Sequence, residues 1–241
     1  MTEVELAERW LEFDSYRGVL WLPANASPSA PVPLILAGQP GGPASLEQTH
    51  DRMRARALAA ARAGFATATI ELPGSGGRPQ PEGVADARAQ LRAAVTAGES
   101  VPAEVVDALI LPLVAQAVPE WQAALRRLLE IPELREPVGV SGGVISIATQ
   151  LAAVEPRITC AVLFAGSFVP TSIIETARTV VIPIHMLLQW DDEGNDRGVA
   201  LELFDAFGSR EKTLTANLGG HTGVPSHAGD AANAFFARHL R

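Results

Sequence analysis

The stretch Pro137-Val138-Gly139-Val140-Ser141-Gly142-Gly143-Val144-Ile145 carries most of the information in this chain. Gly139, Ser141 and Gly143 make a G-x-S-x-G pattern. It follows a short apolar run with strand character, Val138 to Val140, and opens a helical pattern that reaches Glu155. A serine at the tip of a sharp strand-to-helix turn needs small residues two positions to either side, and both are glycine here. The spacing predicts a strained serine backbone, a hydroxyl raised above a sheet, and a helix N-terminus beneath it. The free N–H groups and dipole of that terminus favour an oxyanion.

Strands and helices alternate outward from this turn in both directions. A hairpin is expected at 10–13 and 18–22, then strands at 32–37, 65–71, 138–140, 158–164, 180–188 and 211–216. Several are apolar throughout, as strands of a parallel sheet covered on both faces should be. Helices are expected at 45–63, 119–130, 142–155, 199–207 and 228–240, with Pro119 suited to a first turn. The alternation implies an α/β sandwich with a mostly parallel central sheet and right-handed crossovers. One domain spanning 1–241 is expected, at roughly 150 residues per domain as a soft guide.

Residues 75–118 interrupt the rhythm after the fourth strand, at a length too great for an ordinary connection. Two helices are predicted there, over 84–97 and 102–117. They form a small helical insertion that either packs on the core or acts as a lid, with Leu109, Ile110 and Leu113 as candidate acyl-contacting residues.

A serine hydroxyl needs a base, and the base needs an orienting acid, in the chain order serine, acid, histidine. Gln189-Trp190-Asp191-Asp192-Glu193-Gly194 follows an apolar strand, and Asp192 is the favoured acid over Asp191. Gly219-Gly220-His221 follows the last strand, with His221 favoured over His227. An oxyanion hole also needs a donor from the loop after the third strand, Ala37-Gly38-Gln39-Pro40-Gly41-Gly42-Pro43. Pro40 has no N–H, so Gly41 is the expected donor, with Gly142 as the second.

Composition removes other chemistries. There is one cysteine, Cys160, in an apolar run, hence no disulfide framework and no thiolate metal cluster. Neither a zincin nor a P-loop motif occurs, so no metal and no cofactor is expected. A formal charge of −8 argues against nucleic acid as a partner. The charged N-terminus and the absence of a long apolar run argue against export or membrane association, so a cytoplasmic location is expected. A homodimer stays open.

Taken together, Pro33-Leu-Ile-Leu-Ala-Gly38, Glu71-Leu-Pro-Gly-Ser-Gly76, the Ser141 turn, Gln189-Trp-Asp-Asp192 and Gly219-Gly-His221 resemble the α/β-hydrolase family. The resemblance is strongest to its small dienelactone-hydrolase-like esterase branch and covers nearly the whole chain. It implies a serine hydrolase of small carboxylic esters, with Ser141, Asp192 and His221 as catalytic triad. Thioesters, lactones and small amides are alternative substrates, and a non-catalytic ligand-binding homologue is the alternative class. The chain departs from the family's pattern at Gln39-Pro40, at Glu71 and Gly74-Ser75-Gly76, and at Asn195-Asp196 after the acid. Ser141 stands where dienelactone hydrolases proper carry cysteine, which points to ordinary carboxylic esters.

Overall fold

A computed structural model describes residues 5–166, 168–221 and 224–241. Eight strands form one sheet: β1 (Leu6–Glu12), β2 (Arg17–Pro23), β3 (Val32–Ala37), β4 (Ala66–Ile70), β5 (Leu134–Ser141), β6 (Ile158–Phe164), β7 (Ile184–Gln189) and β8 (Lys212–Asn217). Their order is β1-β2-β4-β3-β5-β6-β7-β8. The hairpin β1–β2 and the pair β2–β4 are antiparallel, and every other pairing is parallel. Parallel pairing aligns the carboxyl ends of β3 and β5 to β8 along one edge, where the predicted functional loops all emerge.

Two layers cover the sheet. On one face lie α1 (Leu46–Arg62) and α7 (Ser226–His239), packed through Met53, Ala57, Phe235 and Phe236. The other face meets α3 (Ala103–Leu128), α4 (Ile145–Val154), α5 (Thr171–Ala177) and α6 (Arg197–Ala206) in the largest apolar cluster. Local chemistry sets the start of α1. Ser45 Oγ accepts from Gln48 N, while the Gln48 carboxamide oxygen accepts from Ser45 N at 2.8 Å. This reciprocal pair satisfies two N–H groups that a helix start leaves open. Among the described residues no helix is long and apolar enough to cross a membrane.

The sequence predicts a boundary at Pro119, and the structure removes it. A single 26-residue helix, α3, runs through both Pro112 and Pro119. One stripe from Val106 through Ile110, Val114, Ala117, Val118, Trp121 and Leu125 to Leu128 is buried in the main cluster, so packing favours continuity. The carbonyls that lose a donor belong to Ala108 and Ala115, four residues before each proline. Both residues are exposed and can be hydrated, which lowers the usual cost of an interior proline. The preceding helix, α2 (Val84–Ala97), packs on α3. Ile110 lies in the core, and the partly buried Leu109 and Leu113 pack against it.

The insertion is anchored at its root. Arg78 donates to Glu120 through both terminal nitrogens, at 3.1 and 2.6 Å, and to the Glu71 carbonyl at 2.6 Å. The Tyr16 hydroxyl donates to the Glu120 carbonyl at 2.8 Å, and the guanidinium lies over the Tyr16 ring. Arg78 and Glu120 side chains are both largely buried. Removing one partner of such a pair strands the other, so Glu120→Ala is expected to cost about 3 kcal/mol in urea unfolding. A loss below about 1 kcal/mol would show that this pair does not hold α3 in place.

Candidate active site

Parallel pairing fixes which side chains share a face. Gly139 pairs with Cys160 and Ser141 with Val162, and all four face α1 and α7. A Cβ on Gly139 would come within 2.7 Å of the Phe236 ring of α7, so α7 can sit this close only over a glycine. Two residues on, the Ser141 hydroxyl meets α1. Arg56 Nη2 donates to Ser141 Oγ and to the Ser141 carbonyl, each at 3.0 Å.

The backbone of this turn differs from the expectation. No described residue other than glycine has a positive φ, so Ser141 itself is not in the strained conformation predicted for it. The left-handed positions fall on Gly142 (φ 61°) and Gly143 (φ 81°), where they are accessible without a Cβ clash. The strand therefore continues through Ser141, whose carbonyl accepts from Gly38 N at 3.0 Å, and α4 begins only at Ile145. Gly142 N donates to the Val162 carbonyl at 2.8 Å, which engages it in the sheet. For Gly142 to play the oxyanion role expected of it, this bond would have to open. Among the described residues, the N–H groups of Gly143 and Val144 carry no partner, and both stand at the start of α4.

The loop after β3 closes over this turn. A Cβ on Gly38 would lie 2.6 Å from the Gly142 carbonyl oxygen and 2.8 Å from Gly143 Cα. Both obstacles are backbone and cannot swing aside. Gly38→Ala is expected to lower stability by about 2–3 kcal/mol in urea unfolding, because it must push the two turns apart. Gly41 lies beside Val144, with the Val144 side chain 3.2 Å from where its Cβ would be, and its own N–H is unpaired among the described residues. Gln39 is buried with an unpaired carboxamide nitrogen and borders a cavity of about 10 Å³ beneath the turn. That cavity, lined also by Leu72, Trp121 and Val140, holds at most a single water.

The acid and the histidine meet. His221 Nδ1 lies 2.7 Å from Asp192 Oδ2, and the Asp192 side chain is 6% exposed against 64% for His221. Asn195 Nδ2 donates to the same carboxylate oxygen at 2.5 Å, and Gly194 N donates to the other at 3.1 Å. Burial raises the Asp192 pKa, but the hydrogen bonds from His221 and Asn195 outweigh it, and the carboxyl ends below its ordinary value. Asp191 has a different task. It accepts from Gly219 N at 3.2 Å and donates its own N–H to the Gly219 carbonyl, while Gln189 Nε2 donates to the Gly220 carbonyl. These bonds continue the β7–β8 pairing into the histidine loop. The His221 ring meets Phe164, at the end of β6, edge to face at 5.4 Å. Phe164 packs with Val162 in the α7-side cluster, so His221 lies at the edge of the face that bears Ser141. Among the described residues no hydrogen bond joins Ser141 to His221.

His227 is exposed near the start of α7 and Cys160 is fully buried, its thiol pushed up to about 12 by burial. Three contributors escape a reading of the sequence: Arg56, Asn195 and Phe164. Asn195 lies three residues after Asp192, and that proximity is the available signal.

By fold, the chain is an α/β-hydrolase. It is similar over its full length to a cold-adapted esterase from an Arctic intertidal metagenomic library, at 25% identity, 96% coverage of that chain and a TM-score of 0.74. An esterase of Pyrococcus furiosus shares the fold at 11% identity and a TM-score of 0.66, over 98% of this chain and 93% of that one. A dienelactone-hydrolase-type protein from Klebsiella pneumoniae shares it at 13% identity and a TM-score of 0.66, over 97% and 98%. No family model matches the chain, and no curated relative matches it in sequence.

Proposed function

We propose that this protein hydrolyses small carboxylic esters through an acyl-enzyme on Ser141. The observation that carries the reading is the 2.7 Å contact between His221 and a buried, hydrogen-bonded Asp192 at the sheet edge where Ser141 ends β5. The similarity to esterases of nearly equal length supports it.

Substrate binding brings His221 Nε2 to the Ser141 hydroxyl, a bond often long in the free enzyme. His221 takes the proton as Ser141 Oγ bonds to the carbonyl carbon. The carbonyl π electrons move onto oxygen, and the N–H groups of Gly41 and Gly143 hold that oxyanion. The carbon–alkoxy bond then breaks, and His221 returns the proton to the departing alcohol. A water deprotonated by His221 attacks the acyl group, and the acid leaves as Ser141 regains its proton. Asp192 keeps the imidazole proton on Nδ1 and stabilises the imidazolium form. The site needs no redox partner for any of these steps.

Intact mass after treatment with a fluorophosphonate tests this reading. One adduct on the wild type and none on Ser141→Ala is expected. A second reading, ligand binding without turnover, draws on two features: Gly142 N is engaged in the sheet, and among the described residues no hydrogen bond joins Ser141 to His221. A folded wild type that takes no adduct would select that second reading.

A further inference from the structure

We infer that Arg56 is a positioning residue for the Ser141 nucleophile, holding its oxygen as an acceptor beside a fixed positive charge. The inference rests on the esterase reading above and assigns a residue to it that lies far from the recognisable motifs.

Arg56 projects from the sheet-facing side of α1, one turn after the buried Met53 and beside the buried Ala57. It is half-buried. Its guanidinium binds three groups of the two closing turns: the Gly38 carbonyl at 3.4 Å, the Ser141 carbonyl at 3.0 Å and Ser141 Oγ at 3.0 Å. A Cβ on Gly142 would come within 3.0 Å of Nη2, so a glycine at this position lets the guanidinium lie against the turn. Among the described residues no carboxylate pairs with Arg56. Arginines elsewhere on the molecule do meet carboxylates: Arg17 meets Glu71 and Glu47, Arg78 meets Glu120, and Arg157 meets Glu155. Burial and the nearby Arg52 push the Arg56 pKa down to about 10, which still leaves it a cation at neutral pH.

A serine hydroxyl has one hydrogen and two lone pairs, whereas a guanidinium can only donate. With Arg56 on one lone pair, Ser141 Oγ cannot use its hydrogen there, and the O–H is left to donate to another acceptor. A neutral His221 Nε2 is such an acceptor. The adjacent positive charge also favours Oγ as its proton departs, and a charge-assisted bond does so more strongly than a neutral one. The absence of a carboxylate partner keeps that charge uncompensated next to Oγ.

The test compares Arg56→Lys, Arg56→Gln and the wild type by the rate of fluorophosphonate adduct formation, with melting temperature measured alongside. In that reaction Ser141 Oγ bonds to phosphorus, fluoride leaves and the hydroxyl proton goes to His221, so the rate reads nucleophile activation. Arg56→Gln keeps hydrogen-bonding capacity and loses the charge. It is expected to slow the reaction roughly tenfold to a hundredfold. Arg56→Lys keeps the charge and is expected to recover most of that loss. A wild-type rate in Arg56→Gln overturns the inference while leaving the esterase reading intact. So do equal losses in the two variants. If Arg56→Gln does not fold, Arg56→Lys decides: a rate within about tenfold of wild type supports the role, and a hundredfold loss at unchanged melting temperature overturns it. A wild type that takes no adduct overturns both readings together.

Discussion

Ser141→Ala is expected to reduce turnover of an activated ester such as a nitrophenyl acetate by a factor on the order of 10⁶, the scale seen when a serine nucleophile is removed. The fold should survive this change. Ser141 sits within β5, its carbonyl continues to accept from Gly38 N and Arg56, and only the Oγ contact with Arg56 is lost. One hydrogen bond to a charged group contributes roughly 1.5–3 kcal/mol at most. Part of that is recovered here because Arg56 Nη2 keeps its carbonyl partner. The informative comparison is therefore turnover against circular dichroism and melting temperature on one preparation. A millionfold loss with a nearly unchanged melting curve places the chemistry on Ser141. Retention of even a hundredth of the wild-type rate would mean that another group attacks the ester, and the triad assignment would fall.

The features legible in the sequence are those set by periodicity and chain order. Mostly apolar runs such as Ile158–Phe164 point to a sheet covered on both faces, and that strand has the expected bounds. The order serine, acid, histidine follows from which strand ends carry polar residues, so Asp192 and His221 are singled out before their 2.7 Å contact is known. The conformation of Ser141 is not legible in the same way. G-x-S-x-G states that a tight turn occurs, but the residue after the serine is also glycine here. A left-handed φ costs a residue with a Cβ roughly 1–2 kcal/mol and glycine almost nothing, so Gly142 and Gly143 take it and Ser141 stays extended. The engagement of Gly142 N by Val162 is a direct result of that extra strand residue.

Arg56 is hidden for another reason. It is one of several arginines in an alanine-rich helix, and its neighbours Arg52 and Arg54 are exposed. Local pattern does not distinguish an arginine that reaches the sheet edge from one in solvent. The continuity of α3 is a tertiary effect: two prolines signal an end, and ten buried residues along one stripe override them. Helix α5 leaves no periodic signal in the sequence, because seven residues are too few to establish a period.

The second large effect concerns the acid. Asp192→Asn is expected to lower kcat by roughly 10⁴-fold with little change in KM, because an amide can hold the ring but favours the wrong tautomer. Asp191→Asn should change turnover far less, since Asp191 braces Gly219 and does not touch the imidazole. A pH dependence of stability separates this role from simple packing. The folded carboxyl of Asp192 has a pKa below its ordinary value, so its ionised form stabilises the fold above the usual carboxylate range. That contribution disappears as pH falls through the folded pKa. The difference in melting temperature between wild type and Asp192→Asn should therefore be full above about pH 5 and shrink as the solution is acidified. The catalytic loss, by contrast, should be evident at neutral pH, where Asp192 is ionised. If Asp191→Asn instead suffers the 10⁴-fold loss while Asp192→Asn keeps its turnover, the working pair is not the one at 2.7 Å, and the histidine loop must close on the neighbouring carboxylate during catalysis.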